Sequence, residues 1–169
     1  MNASELMTRE VKFCRPDDNL QRAAQIMWEA DCGVVPIVDA DMHVIGMITD
    51  RDACMAAYTQ GRHLSQIPVS SAMAKQVYCV HESDDLEAVE ALMSRVRVRR
   101  LPVLNADGRL AGLLSLNDLA RHSHTSAGRR GDGLRSDHII RTLAAISEPS
   151  IAAGSREPAV KAAPAQLSA

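Results

Sequence analysis

The sequence predicts an α/β (α+β) fold: two tandem βαββα units packed with pseudo-twofold symmetry, followed by a partly disordered C-terminal tail. Three observations predict it. The chain overlays on itself without a gap when displaced by 66 residues, so that residues 7–54 fall on residues 73–120. Met7 meets Met73, Asp18 meets Asp84, Pro36 meets Pro102, Gly46 meets Gly112 and Asp52 meets Asp118. Such a repeat marks one supersecondary unit used twice. Within each copy, short apolar runs alternate with stretches of helical periodicity. Hydrophobic residues make up 46% of the 169 residues and aromatics only 2%, which implies an aliphatic core.

The elements follow in order. A short strand is predicted at residues 11–14 and again at 77–80. A helix comes next, with Leu20, Ala23, Ala24 and Met27 on one face of the first copy. Leu86, Val89, Met93 and Val96 form that face in the second. Asp17, Asp18 and Asn19, or Ser83 and Asp84, stand where N-caps belong. A strand pair is then predicted at 34–38 with 44–49, and at 101–104 with 110–115. Asn105-Ala106-Asp107-Gly108 suits a hairpin turn, with Gly108 free to adopt positive φ. Asp39-Ala40-Asp41-Met42 is a weaker turn signal. A second helix covers about 50–58, or 116–122.

One unit of roughly 50 residues is too small to bury a good core alone, so the two must pack together and leave clefts between them. The units are taken as residues 4–62 and 68–123, with residues 124–169 as tail. Residues 124–135 read as a Gly/Arg-rich linker. Ser136 could cap a short helix carrying Ile139, Ile140, Leu143 and Ala144. The Ala/Pro/Ser-rich stretch beyond Pro149 reads as disordered.

Composition narrows the function. A net charge of −2 gives no pull toward nucleic acid or anionic membrane. Four aromatics are too few for base-stacking platforms. No apolar run approaches a membrane span, and the N-terminus has no signal-peptide pattern, so a cytoplasmic chain is expected. Cys14, Cys32, Cys54 and Cys79 form no C-x-x-C pair and are expected to be small core residues. The six histidines lack metal spacing, and His122 and His124 read as a solvated pair. No phosphate-binding glycine run, nucleophile elbow or zinc-protease motif is present, which argues against an enzyme and against a catalytic cofactor.

Each copy ends in a motif that could carry chemistry: Gly46-Met47-Ile48-Thr49-Asp50-Arg51-Asp52 and Gly112-Leu113-Leu114-Ser115-Leu116-Asn117-Asp118. Thr49 with Asp52, and Ser115 with Asp118, have the spacing of a capping box and need no ligand. The same groups could hold a ribose, since one carboxylate can accept from both sugar hydroxyls. The glycine would admit a ligand close to the backbone. The segment 95–100 reads either as a solvated basic edge or, through Arg100 with Arg51, as a phosphate contact.

Here the chain resembles a cystathionine-β-synthase (CBS) domain pair over about residues 4–123. The resemblance is carried by Met7-Thr8, by Val34-Val35-Pro36-Ile37-Val38-Asp39 and by the Gly46–Asp52 motif. In the second copy it is carried by Met73, Leu101-Pro102-Val103-Leu104 and the Gly112–Asp118 motif. It implies a regulatory module that binds AMP, ADP, ATP, S-adenosylmethionine, NAD or a related adenosyl ligand, and that pairs with a second copy. Carried over by position, Asp52 and Asp118 would hold ribose hydroxyls with help from Thr49 and Ser115. Met47 and Leu113 would line the base pocket beside Pro36 and Pro102, and Val35 and Leu101 would offer backbone contacts to the adenine edge. A separate effector protein is expected. Arg99-Arg100 replaces Gly33-Val34, so the two sites should differ in affinity. The competing reading is a dimerising scaffold that works without ligand.

Overall fold

The computed structural model describes residues 1–126 and 136–148. The first unit runs α2 (Leu20–Glu29), β1 (Val34–Val38), β2 (Val44–Thr49) and α3 (Asp50–Gln60), after a short α1 (Ala3–Leu6). The second runs β3 (Val80–His81), α4 (Leu86–Val96), β4 (Arg100–Leu104), β5 (Leu110–Ser115) and α5 (Leu116–Ser126). A final helix, α6, spans Ser136–Ser147. Each hairpin is antiparallel, and each carries a register shift at the same place, between Ile37 and Val38 and between Val103 and Leu104. Among the described residues no helix is long and apolar enough to cross a membrane.

The leading strands are shorter than the sequence predicts. Residues 11–14 form no strand; Cys14 alone bridges Ile37. In the second copy pairing is confined to Val80 and His81 against β4. Pro16 and the turn closed by Arg15 N–H on Asp18 Oδ2 (2.7 Å) cut the first strand short. The helix cap of the second copy falls one residue beyond the predicted pair, at the position that matches Asn19. Asn19 accepts from the Arg22 amide (3.0 Å) as expected, but Asp85, not Ser83 or Asp84, caps α4 through the Ala88 amide (2.9 Å). Asp84 closes the preceding turn by accepting from His81 N–H, as Asp18 does for Arg15.

Gly108 adopts positive φ (74°), as its turn requires, and Met42 takes the same conformation (71°) in the first hairpin. For Met42 that costs on the order of 1 kcal/mol. Its carbonyl accepts from Leu110 N–H (2.9 Å), so the strained turn ties the two hairpins together.

The two units exchange their opening segments. Thr8 and Leu113 trade backbone hydrogen bonds (both 2.9 Å), and Met47 and Ala74 do the same (3.0 and 2.8 Å). The symmetry extends further: Ala3 N–H reaches Asp84 O (2.8 Å), as Val69 N–H reaches Asp18 O (2.7 Å). Ala3 and Met7 are therefore buried in the core of the second unit with Val89, Met93, Leu101 and Leu114. Ile67, Val69 and Met73 pack on the first, around Leu20, Ile37 and Ile48. The glycines of the two motifs admit these segments. A Cβ on Gly46 would lie 2.5 Å from Met73 Sδ and 3.2 Å from Ala74 O; on Gly112 it would lie 2.8 Å from Met7 Cγ and 3.0 Å from Thr8 O.

α6 packs on the helices of the second unit, α4 and α5. Its inner face is Ile139, Thr142 and Ile146, while Ile140 (67% exposed), Leu143 and Ala144 point outward. Buried Glu90 sets this rotation: its Oε1 accepts from Thr142 Oγ1 (2.6 Å), and leaving that acceptor unpaired would be costly. Residues 124–126, predicted as linker, continue α5, and Ser136, predicted as a cap, is the first residue of α6; the rest of the linker and the disordered stretch predicted at the C-terminus fall outside the described residues. The core is aliphatic as predicted, with Trp28 and Tyr58 at the surface. Cys14 is buried there and Cys32 and Cys79 are half-buried, but Cys54 is exposed on α3 and is not a core residue.

Gly112→Ala should lower stability by about 1–3 kcal/mol, through the overpacking of Met7 and Thr8 against β5. Gly46→Ala should cost less, since its nearest backbone atom is farther away. Thermal melts of the two variants check this; an unchanged midpoint for Gly112→Ala would contradict the packing account.

Candidate functional site

Both capping boxes form in full. Thr49 N–H and Oγ1–H donate to Asp52 Oδ2 (3.0 and 2.7 Å), while Asp52 N–H donates back to Thr49 Oγ1 (3.2 Å). Ser115 and Asp118 repeat this at 2.8, 2.6 and 3.3 Å. Each carboxylate is thereby fixed at the N-terminus of α3 or α5, where the helix dipole favours negative charge. The second oxygens differ. Asp118 Oδ1 accepts from Arg121, one turn along α5. Asp52 Oδ1 has no donor among the described residues.

These boxes stand beside two clefts, and each cleft is built from both repeats. The larger, about 700 Å³, is lined by Met47, Thr49 and Arg51 from the first copy and by Leu101 and Pro102 from the second. The smaller, about 300 Å³, is lined by Leu113, Ser115 and Asp118 from the second copy and by Pro36 from the first. Val34 and Arg100, which are 66 residues apart, each line both. The clefts are thus pseudo-twofold mates that meet at those residues. The short leading strands are accounted for here, because Val11 lines the smaller cleft and Val77 and Tyr78 the larger.

Two residues singled out by sequence stand apart from the lining. Val35 is wholly buried in the first core and lines neither cleft. Asp52 is half-buried with its carboxylate folded onto Thr49, and it does not line the larger cleft as Asp118 lines the smaller. Other lining residues were not found by sequence reasoning: Lys12 and Arg121 in the smaller cleft, and Gln76, Tyr78, Arg97 and Arg99 in the larger. The 66-residue offset is the signal that could have found them, since Lys12 falls on Tyr78 and Gly33 on Arg99.

Elsewhere, Asp39, Asp41 and His43 bring their donor atoms within 4.8 Å of one another in the first hairpin turn. Asp39 closes that turn by accepting from Asp41 N–H (3.0 Å) and His43 N–H (2.9 Å). The His43 backbone bond chiefly holds its carboxyl below the usual range. Burial pushes the Cys14 and Cys79 thiols up to about 11, so neither is a ready thiolate at neutral pH.

Comparison with known proteins agrees with this fold. The family model described as "CBS domain" matches twice, at residues 3–58 and 69–125. The CBS domain-containing protein YhcV of Bacillus subtilis is 33% identical over 129 residues, covering 75% of this chain and 90% of that protein. The structure of a putative signal-transduction protein with CBS domains from Burkholderia ambifaria aligns with a TM-score of 0.65 at 27% identity, covering 78% of this chain and 98% of that one. The CBS domain pair of protein MJ0100, solved in complex with 5'-methylthioadenosine and S-adenosyl-L-methionine, shares the fold at a TM-score of 0.66 and 21% identity, covering 75% of this chain and 98% of that one.

Proposed function

This chain belongs to the CBS domain family, and we propose that it is a regulatory module that binds an adenosine-type ligand in its two inter-repeat clefts and conveys occupancy to a separate effector protein. One observation carries the reading: each cleft sets the capping hydroxyl of one repeat, Thr49 or Ser115, against the proline strand of the other. A ligand that touches both sides must respond to their relative position. Such a ligand shifts the balance only by its differential affinity for two arrangements.

In this reading Asp118 with Ser115, and Asp52 with Thr49, accept the ribose hydroxyls. Asp52 Oδ1 is available for this, and Asp118 Oδ1 can accept a sugar hydroxyl beside its Arg121 bond. Met47, Leu113, Pro36 and Pro102 supply apolar surface for the base. Leu101 offers its backbone to the base edge; Val35 would reach it only through its main chain. Arg51 and Arg100 meet a phosphate. The repeats are taken at residues 4–62 and 68–123, and the setting proposed is the cytoplasm, where the four free thiols stay reduced. The ligand observed in the MJ0100 domain pair supports the adenosyl class.

The chain is further proposed to form a homodimer. Trp28 (88% exposed), Tyr58 (81%) and Met55 sit on α2 and α3, the helices equivalent to those that α6 covers in the second unit. A second copy would bury this apolar surface, which favours assembly. The same surface, with capping boxes already satisfied, is what supports the ligand-independent scaffold reading.

Calorimetric titration with AMP, ATP, NAD and S-adenosylmethionine tests the sensor reading. Micromolar binding would correspond to about −8 kcal/mol. Asp52→Ala and Asp118→Ala should each weaken one site by roughly thirtyfold, a loss of about 2 kcal/mol. A wild-type chain that takes none of the four ligands, with variants that lose only stability, would leave the scaffold in its place. Light scattering should report a dimer that Trp28→Ala combined with Tyr58→Ser dissociates; an unchanged mass would rule out assembly through this face.

A further inference from the structure

The pseudo-twofold makes each cleft an internal control for the other. They share one scaffold, so residues that differ at matched positions report what each cleft is built to hold. In the smaller cleft three acids, Glu10, Asp31 and Asp118, balance three bases, Lys12, Arg100 and Arg121. In the larger, Arg51, Arg97, Arg99 and Arg100 face Asp50 alone. Three matched positions move toward positive charge from the smaller cleft to the larger: Gln76 stands for Glu10, Arg97 for Asp31 and Arg51 for Asn117. Arg99 adds a further charge to the larger cleft at the position that matches Gly33, which lines the same cleft. Three move the other way, Tyr78 for Lys12, Asp50 for Leu116 and Met55 for Arg121.

We propose that the two clefts take different ligand classes, the larger a nucleoside polyphosphate and the smaller an adenosyl compound without a polyphosphate. This rests on the adenosyl reading and names the ligand class of each site. Backbone requirements do not explain the substitutions. Asp31 and Arg97 both close a helix in the left-handed region (φ 47° and 57°), where glycine is cheapest, so the same conformation carries opposite charges. Nor are the arginines engaged in holding the fold. Among the described residues the guanidinium groups of Arg51, Arg99 and Arg100 have no acceptor. Arg97 pairs only with Glu148 (2.6 Å), and both partners are at least half exposed. Like charges gathered without counter-ions repel, and a phosphate chain relieves that repulsion while matching the planar fork of each guanidinium. The volumes agree. About 700 Å³ has room for a base, ribose and phosphate chain, whereas about 300 Å³ is at the lower bound for a small ligand.

Glu148 then acts as an internal stand-in for phosphate. It follows α6, whose Ile146 also lines the larger cleft. A polyanion drawing Arg97 inward must displace Glu148, so removing that carboxylate should help the polyanion bind.

The test is calorimetric titration of the full chain at low ionic strength with ATP, AMP, adenosine and inorganic tripolyphosphate. ATP should bind more tightly than adenosine by roughly tenfold or more. The variant R51N/R97D/R99G installs the residues found at the matched positions of the other repeat and should bring the ATP-to-adenosine ratio toward one. Arg99→Gly alone, at an exposed position, should lower it severalfold and serves if the triple variant does not fold. Glu148→Gln should tighten tripolyphosphate binding. Equal affinity for ATP and adenosine in the wild type, or a ratio that survives the triple variant, would overturn the inference and leave the adenosyl reading standing. Tripolyphosphate binding that the triple variant abolishes, with no adenosine bound at either cleft, would sustain the polyanion cleft and remove the adenosyl reading instead.

Discussion

The architecture depends on a reciprocal insertion: Met7 lies against Gly112 and Met73 against Gly46, each anchored by a pair of backbone hydrogen bonds to the opposite unit. A unit of roughly 50 residues buries too little surface to stand alone. Each therefore completes its core with the opening segment of the other, or with the segment that leads into it. The exchange also brings the strand ends and helix starts of one repeat against the proline strand of the other. Both clefts are consequences of it, since neither has a complete wall from a single repeat.

Local chemistry and the candidate site share atoms. The capping boxes that begin α3 and α5 hold Asp52 and Asp118 in fixed rotamers beside the clefts. Two donors on one oxygen leave the other to meet a ligand, or, for Asp118, to meet Arg121. A stabilising cap and a ligand contact are therefore the same arrangement, and substitution of either acid tests both roles at once. What separates the clefts is charge carried on positions the fold does not need, chiefly Arg97, Arg99 and Arg51.

Much of this is legible in the sequence. The strand pairs at 34–38 with 44–49 and at 110–115 appear where apolar runs and turn residues put them, and β4 begins one residue early at Arg100. Gly108 was marked by its turn. The motif residues Thr49, Ser115 and Asp118 were marked by their spacing. Other features depend on tertiary partners. Apolar pattern shows that Met7 is buried but not against which copy, and it treats Gly46 and Gly112 as openings for a ligand when they admit chain. The exposed face of α6 carries Ile140 and Leu143 because buried Glu90 captures Thr142, a pairing across 52 residues that periodicity does not register. Cys54 sits on a helix face that no periodic signal made inward. The cleft arginines at 97 and 99 looked like a basic edge because their neighbours come from the other repeat.

Native-state hydrogen exchange at the Thr8, Met47, Ala74 and Leu113 amides measures the reciprocal insertion itself, because these four groups donate the paired hydrogen bonds beside Met7 and Met73. If the insertion makes the two repeats one cooperative body, all four should belong to the slowest class and share one opening free energy with the core amides of both repeats. Faster exchange at these four than in the cores, or two distinct opening energies for the two repeats, would contradict that account and would leave the clefts between separately folding units.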